Sequence, residues 1–204
     1  NTDNNLYEIY KLNLWNLFDF TNSFSKYEMA QWCLHINRWM KNRLYEHTRY
    51  YKRGSIVLVE LGGDNFKFEP SFAHPCIILA ERERKILIVP CSSKRYGRGF
   101  RDIIDAKKNI DGFQLDTGIQ VEDYRWVNKN RIISKLGKTS PDILNKIDKR
   151  ILKDIPSYRK EKAKYAIIEN KNSELEEEII ELKNKNSELE EEIIELKNKI
   201  NEEK

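Results

Sequence analysis

The sequence predicts a mainly β domain, a partly open barrel, preceded by α-helices and followed by a parallel, dimeric coiled coil. Three observations predict it. Short β-branched runs separated by turn residues fill the middle of the 204-residue chain, a periodic Leu/Ile seam fills its end, and a helix-capping signal lies near its start. The divisions that follow are 1–50 for the helical segment, 51–155 for the β domain, and 156–204 for the terminal helix and coiled coil.

The end of the chain is the most regular part. Ser-Glu-Leu-Glu-Glu-Glu-Ile-Ile-Glu-Leu-Lys-Asn-Lys begins at Ser173 and again at Ser187, a repeat two heptads long. With Leu175, Leu182, Leu189 and Leu196 at d, the a positions are Asn172, Ile179, Asn186, Ile193 and Ile200. Ile at a with Leu at d favours two parallel strands, and a buried Asn fixes their register. Lys171, Glu178, Lys185 and Glu192 at g then oppose Glu176, Lys183, Glu190 and Lys197 at e of a partner helix. Each g–e′ pair has opposite charges, as an in-register homodimer requires.

Charge is divided along the chain. Ser173 to Lys204 contains twelve Glu and five Lys, a net of −7, so the formal +4 of the whole chain leaves +11 on residues 1–172. A body this basic suits polyanionic partners. Cys33, Cys76 and Cys91 are an odd number without metal-ligand spacing, which argues against a disulfide framework or a zinc site. The sequence therefore implies no metal or cofactor and fits a reducing cytoplasm. No apolar run approaches the roughly 20 residues of a membrane span, so no membrane partner is expected.

Near the start, Ser25-Lys-Tyr-Glu28 has the form of a capping box, and Trp32, Ile36, Trp39, Met40 and Arg43-Leu44 recur at helical spacing. This predicts an amphipathic helix to about His47, with its Trp and Met stripe as core or packing surface. His35 and His47 read as structural or exposed. The first twenty residues, rich in aromatics from Tyr7 to Phe20, are expected to be helical too.

From Lys52 the texture is β. Ser55 to Leu61 is a predicted strand, followed by a Gly62-Gly63-Asp64-Asn65 turn; Cys76–Ala80 and Lys85–Val89 form a hairpin around a charged Glu-Arg-Glu-Arg turn. Phe100–Asp105, Gly118–Glu122 and Arg131–Ser134 are further strands. Ser140-Pro141-Asp142 then opens a helix with Leu144, Ile147 and Ile151 on one face.

These residues carry a resemblance. Tyr51-Lys-Arg-Gly-Ser-Ile-Val-Leu-Val-Glu-Leu, then Glu69 ahead of His74-Pro75-Cys-Ile-Ile-Leu, then Ile88-Val-Pro-Cys-Ser-Ser, look like the successive strand motifs of the MazF/PemK toxins. Val121-Glu-Asp-Tyr-Arg125-Trp-Val-Asn-Lys-Asn-Arg131-Ile resembles the family's strand carrying a Glu and two Arg. The resemblance covers about residues 51–153. It implies a homodimeric SH3-like barrel that cleaves single-stranded RNA without a metal, the ribose 2′-OH attacking its own phosphate to leave a 2′,3′-cyclic end, and a cognate antitoxin as protein partner.

The same resemblance places the family's usual Arg before Pro on His74 and the Thr of its Pro-x-Thr-Ser motif on Ser92, making these the catalytic candidates with Glu69 and Ser93 in support. His titrates near neutral pH and Ser keeps a hydroxyl, but His lacks the bidentate fork of Arg, so either Lys94, Arg95 or another cation holds the phosphate or the activity is weak or lost. Ser92 to Arg101 interleaves Lys94, Arg95, Arg98 and Arg101 with Tyr96 and Phe100 around two glycines, which suits phosphate contact with base stacking. Arg53 and Arg125 complete the expected RNA-binding set, and Lys107, Lys108, Trp126, Lys129 and Arg131 extend it. Duller readings stand beside these: His74 as a loop histidine, Ser92 and Ser93 as turn residues, Glu69 as a loop organiser, Cys91 as an inert strand cysteine, and the basic loop as a solvated turn. The alternative at the level of the whole protein is a catalytically silent barrel that binds RNA or a protein, or a scaffold working through its helices.

Overall fold

The computed structural model describes residues 2–66 and 68–202, with side chains described for all of these except 2, 3, 192 and 195–202. Compactness divides the chain into two units, residues 1–151 and 152–204.

The first unit is an antiparallel sheet with helices. Its strands are β1 (Ser55–Glu60), β2 (Ala73–Arg82), β3 (Lys85–Ser92), β4 (Ile103–Ala106), β5 (Thr117–Gln120), β6 (Arg125–Asn128) and β7 (Ile132–Lys138). They follow the order β4-β5-β3-β2-β1-β7, with β6 also paired to β3, and the path is open. Strand β3 is shared along its length: Lys85–Ile88 face β6, while Cys91 and Ser92 face β5.

Alternation along the strands explains both the apolar runs and the two cores. Ile56, Ile77, Leu79, Val89 and Cys91 join one cluster, and Val57, Val59, Cys76, Ile78, Ile86 and Ile88 join the other. Successive side chains point to opposite faces of a strand, and here both faces are covered. The helix α3 (Pro141–Lys153) covers the first face with Ile143 and Ile147, both fully buried, and the partly buried Leu144 and Ile151. Ser140 begins it as expected: the Ile143 N–H donates to Oγ of Ser140 at 3.4 Å, and that hydroxyl donates to Asp111 at 2.8 Å.

Strand boundaries depart from the sequence reading at several points. The hairpin strands are longer than expected, reaching from Ala73 to Arg82 and from Lys85 to Ser92. The segment expected to be one strand with a Glu and two Arg is split: Glu122 lies in a 3-10 turn, Arg125 in β6, and Arg131 in another 3-10 turn. Short turns are needed there because β5 and β6 use the same edge of β3 in succession.

Two helices precede the sheet, α1 (Thr2–Thr21) and α2 (Lys26–Asn42). The capping box at α2 is complete, with Ser25 accepting from Glu28 N–H and Glu28 accepting from Ser25 N–H. The helix stops at Asn42 rather than His47 because the following backbone is taken up elsewhere: Asn130 bonds the carbonyls of Asn42 and Tyr45, and Lys129 that of Arg49. An edge-to-face chain of Phe20, Phe24 and Trp32 joins the two helices. The expected apolar stripe is only half used: Trp32 packs inward, whereas Trp39 and Met40 are about half exposed and Leu44 lies open. Helix α1 also leaves large apolar side chains such as Leu6, Tyr10, Trp15 and Phe18 exposed.

What fixes α2 is Glu60 at the end of β1, a buried carboxylate. It accepts from Arg38 Nη1 at 2.8 Å and lies 3.4 Å from His35 Nδ1. Trp32 sits against Gly63 so closely that a Cβ there would fall 2.8 Å from its ring.

The second unit is dominated by α4 (Pro156–Glu202). The d residues Leu175, Leu182 and Leu189 and the a residues Ile179 and Ile193 are all exposed along it. The side chains of Glu192, Leu196, Lys197 and Ile200, part of the expected heptad pattern, lie outside the described residues. Among the described residues no helix is long and apolar enough to cross a membrane.

Removing Arg38 strands a buried carboxylate, so Arg38→Ala should lower stability by about 2–3 kcal/mol, less than the loss for a fully buried pair because Arg38 is part-exposed. Ile147→Ala should cost about 3 kcal/mol through cavity formation. Urea unfolding midpoints check both.

Candidate active site

Antiparallel pairing of β2 and β3 decides where the candidate residues go. Cys76 faces Pro90, and His74 and Ser92 lie two residues beyond that pair on their respective strands. The register therefore carries both to the same end of the hairpin. There they line a cavity of about 460 Å³ together with Ser93, Lys94, Phe72 and Leu115.

His74 is half-buried, and its Nδ1 is buried without a hydrogen-bond partner among the described residues. Burial lowers its pKa below the ordinary 6.5, with Lys94 adding to the effect and the backbone of Phe72 and Ser71 opposing it. A neutral imidazole at pH 7 is the result, the form that can accept a proton. Phe72, two residues earlier, has φ 62°, and its N–H donates to the Gly62 carbonyl at 2.6 Å. A bulky residue in that region stores about 1–3 kcal/mol, which the surrounding bonds must offset.

Ser92 ends β3, and a 3-10 turn, Ser93–Arg95, follows it directly. The turn packs against β5 at Gly118, where a Cβ would lie 2.7 Å from the Arg95 backbone. Asp105 of β4 anchors the loop beyond by accepting from Gly97 N–H at 3.0 Å, and Arg98 Nε donates back to the Lys94 carbonyl at 3.2 Å. Gly97 and Gly99 have φ of 66° and 68°, a region that favours glycine.

The remaining candidates are divided. Glu69, Arg95 and Arg101 line a second cavity, of about 410 Å³, with Phe100 and the acidic Asp102, Glu122 and Asp123. Arg95 stacks over Phe100 at 5.8 Å. Acid and base share that space, so it is a weaker seat for phosphate than the cavity with Lys94 and no carboxylate. Tyr96, Arg98 and Arg125 line neither cavity; Arg125 donates to the Pro70 carbonyl at 3.4 Å. Arg53 is held by both oxygens of Asp148, at 2.6 and 2.7 Å, and by the Leu79 carbonyl.

Two residues placed with the binding groove by sequence are committed inside the protein instead. Lys129 is 4% exposed and ion-paired with Glu81. Arg131 donates to the Glu60 backbone carbonyl. Cys91 is fully buried and its thiol pKa is pushed well up by burial, which leaves it no thiolate for nucleophilic work. Among the described residues no group of three or more His, Cys, Asp or Glu is arranged to hold a metal ion. Tyr27 and Gln31 of α2 also line the first cavity, and the sequence reading gave neither a binding role. Their i, i+4 spacing behind Ser25 was the available signal.

One strand hairpin thus brings a histidine whose pKa is lowered by burial, two serines and a lysine to one cavity. A family model described as the PemK-like, MazF-like toxin of type II toxin-antitoxin systems matches residues 52–154, just over half of the chain, and the chain belongs to that family. No curated protein matches it. Among solved structures it is similar to MazF from Deinococcus radiodurans, at 12% identity over 50% of this chain and 93% of that one, with a TM-score of 0.44. It is similar also to an endoribonuclease from Mycobacterial species, at 18% identity over 54% and 98% of the two chains, with a TM-score of 0.42. An endoribonuclease in complex with its cognate antitoxin, from Mycobacterial species, matches at 16% identity over 51% and 93%, with a TM-score of 0.40.

His74 should titrate below pH 6.5. The unfolded chain then takes up a proton first as pH falls, so this contribution to stability is present above 6.5 and is lost as pH drops through the folded-state pKa. An NMR titration of its imidazole resonances checks the midpoint. Gly118→Ala should displace the Ser93–Arg95 turn and cost about 1–3 kcal/mol by overpacking, read from thermal unfolding.

Proposed function

We propose that this protein is a metal-independent endoribonuclease toxin that cleaves single-stranded RNA and leaves a 2′,3′-cyclic phosphate. The observation that carries the reading is the convergence of His74, Ser92, Ser93 and Lys94 on one cavity within the family-matched residues. In this reading His74 takes the proton of the ribose 2′-OH, O2′ forms a bond to its own phosphorus, and the P–O5′ bond breaks. The departing 5′-oxygen takes a proton from solvent. Ser92 and Ser93 donate to the phosphate oxygens, and Lys94 offsets the charge that grows on them. Glu69 acts in support from the neighbouring cavity, where Arg95 and Arg101 guide the strand. Arg98 and Arg125 extend the basic surface and Tyr96 offers a ring for stacking, while Arg53 is occupied by Asp148.

The open sheet serves as a variant of the SH3-like barrel, with residues 51–155 as the cutting domain and 1–50 as a helical addition. Residues 156–204 pair two chains in parallel through the a and d seam, whose exposed Leu and Ile side chains otherwise face water. The toxin acts in the cytoplasm and is restrained there by a cognate antitoxin; the Mycobacterial endoribonuclease solved with its antitoxin is a relative that has one.

Purified protein incubated with a long unstructured RNA in EDTA should cut at defined sites and leave cyclic-phosphate ends. His74→Ala and Ser92→Ala should each lower kcat/KM by about 10²-fold or more, the scale of a lost general base or oxyanion donor. The acidic limb of the kcat/KM profile should lie below pH 6.5 and vanish with His74. Intact RNA that the protein nevertheless binds would favour a silent, RNA-binding barrel. Charged substitution at the seam, Leu182→Lys with Leu189→Lys, should halve the mass seen by analytical ultracentrifugation if the coiled coil alone holds the dimer.

A further inference from the structure

The capping box fixes where α2 begins, and this decides which residues meet the cavity. With Ser25 as N-cap, Tyr27 falls in the first turn and Gln31 one turn later on the same helical face. Both line the cavity that contains His74, Ser92 and Lys94. The adjoining face carries Trp32, His35 and Arg38, which grip Gly63 and the buried Glu60 carboxylate. One helix is thus anchored through one face and presents the next to the site. It forms a fixed wall, and a cavity of about 460 Å³ remains open beside it.

The chemistry of the two side chains suits a ligand more than packing. Tyr27 is 71% exposed, so its ring is free of the core. Gln31 makes no side-chain hydrogen bond among the described residues, leaving an amide with a donor and an acceptor side by side. Single-stranded RNA is recognised through aromatic faces that stack on splayed bases and amides that bond their edges.

We propose that Tyr27 and Gln31 form the base-reading wall of the RNA site, Tyr27 stacking on a nucleobase next to the cleaved phosphate and Gln31 bonding its edge. The proposal rests on the nuclease reading above. It assigns sequence preference to a helix that lies outside the family-matched residues 52–154.

The test compares wild type, Tyr27→Ala, Tyr27→Phe and Gln31→Ala on a randomised RNA pool, with cut ends sequenced. Binding to short 2′-fluoro homopolymers of each base, which cannot be cut by a 2′-OH mechanism, is measured in parallel by fluorescence anisotropy. Tyr27→Ala should lower kcat/KM roughly tenfold to hundredfold, chiefly through KM, and Tyr27→Phe should restore it, because stacking needs the ring and not the hydroxyl. Gln31→Ala should flatten the base preference at one position beside the cut and leave the other positions unchanged. A wild type that binds without cutting still supports the wall if Gln31→Ala erases its preference among the homopolymers. Unchanged cut sites and efficiency in both alanine variants overturn the wall and leave the nuclease reading standing. Faster cutting by Tyr27→Ala also overturns it, since the helix would then be an obstruction. A wild type that neither cuts nor binds overturns both readings.

Discussion

One edge of strand β3 has to satisfy two partners, and the geometry of the site follows from how it does so. Its first half pairs with β6 and its last two residues with β5, while the opposite edge is filled by β2. The chain between β5 and β6 must therefore turn tightly, which the 3-10 turn at Val121–Asp123 accomplishes. Because β3 ends at Ser92 against β5, the basic loop is launched from a paired strand end.

Two buried carboxylates attach the leading helices to the sheet. Glu60 holds α2 through Arg38, with His35 3.4 Å away, and Glu81 holds the connecting segment through the Tyr51 N–H while pairing with Lys129. Ion pairs of this sort seldom stabilise more than an apolar pair of the same shape, because both charges must shed water. What they supply is direction: a carboxylate accepts only where a donor sits, so α2 has one docking position. The strongly positive first 172 residues thus offset part of their charge within the chain, on Lys129, Arg38 and Arg53, before any partner is met.

Features written in local spacing were legible in the sequence. The capping box at Ser25, the central hairpin, the Ser140-Pro141 helix start and the family motifs each depend on residues close in the chain. Strand β6 was not read as a separate element, since four residues with an alternating exposure pattern look the same in a loop. The fates of Arg53 and Lys129 were hidden for another reason: a cation's letter does not disclose that Asp148, 95 residues away, or Glu81 will claim it. His74 and Ser92 could be nominated through the resemblance, but bringing them to one cavity required the β2–β3 register. Tyr27 and Gln31 share a helical face by their spacing, but nothing nearby in sequence announces Glu60 as the anchor that sets this face against the cavity.

That anchor means inheritance and folding draw different borders through this chain. The family-matched stretch begins at residue 52, yet the carboxylate inside it at position 60 is ion-paired with Arg38 and has His35 3.4 Å away. Cut at residue 52, the sheet would lose the arginine that pairs with Glu60, and that carboxylate would have only water in its place. The compact unit of residues 1–151 therefore begins upstream of the family-matched stretch.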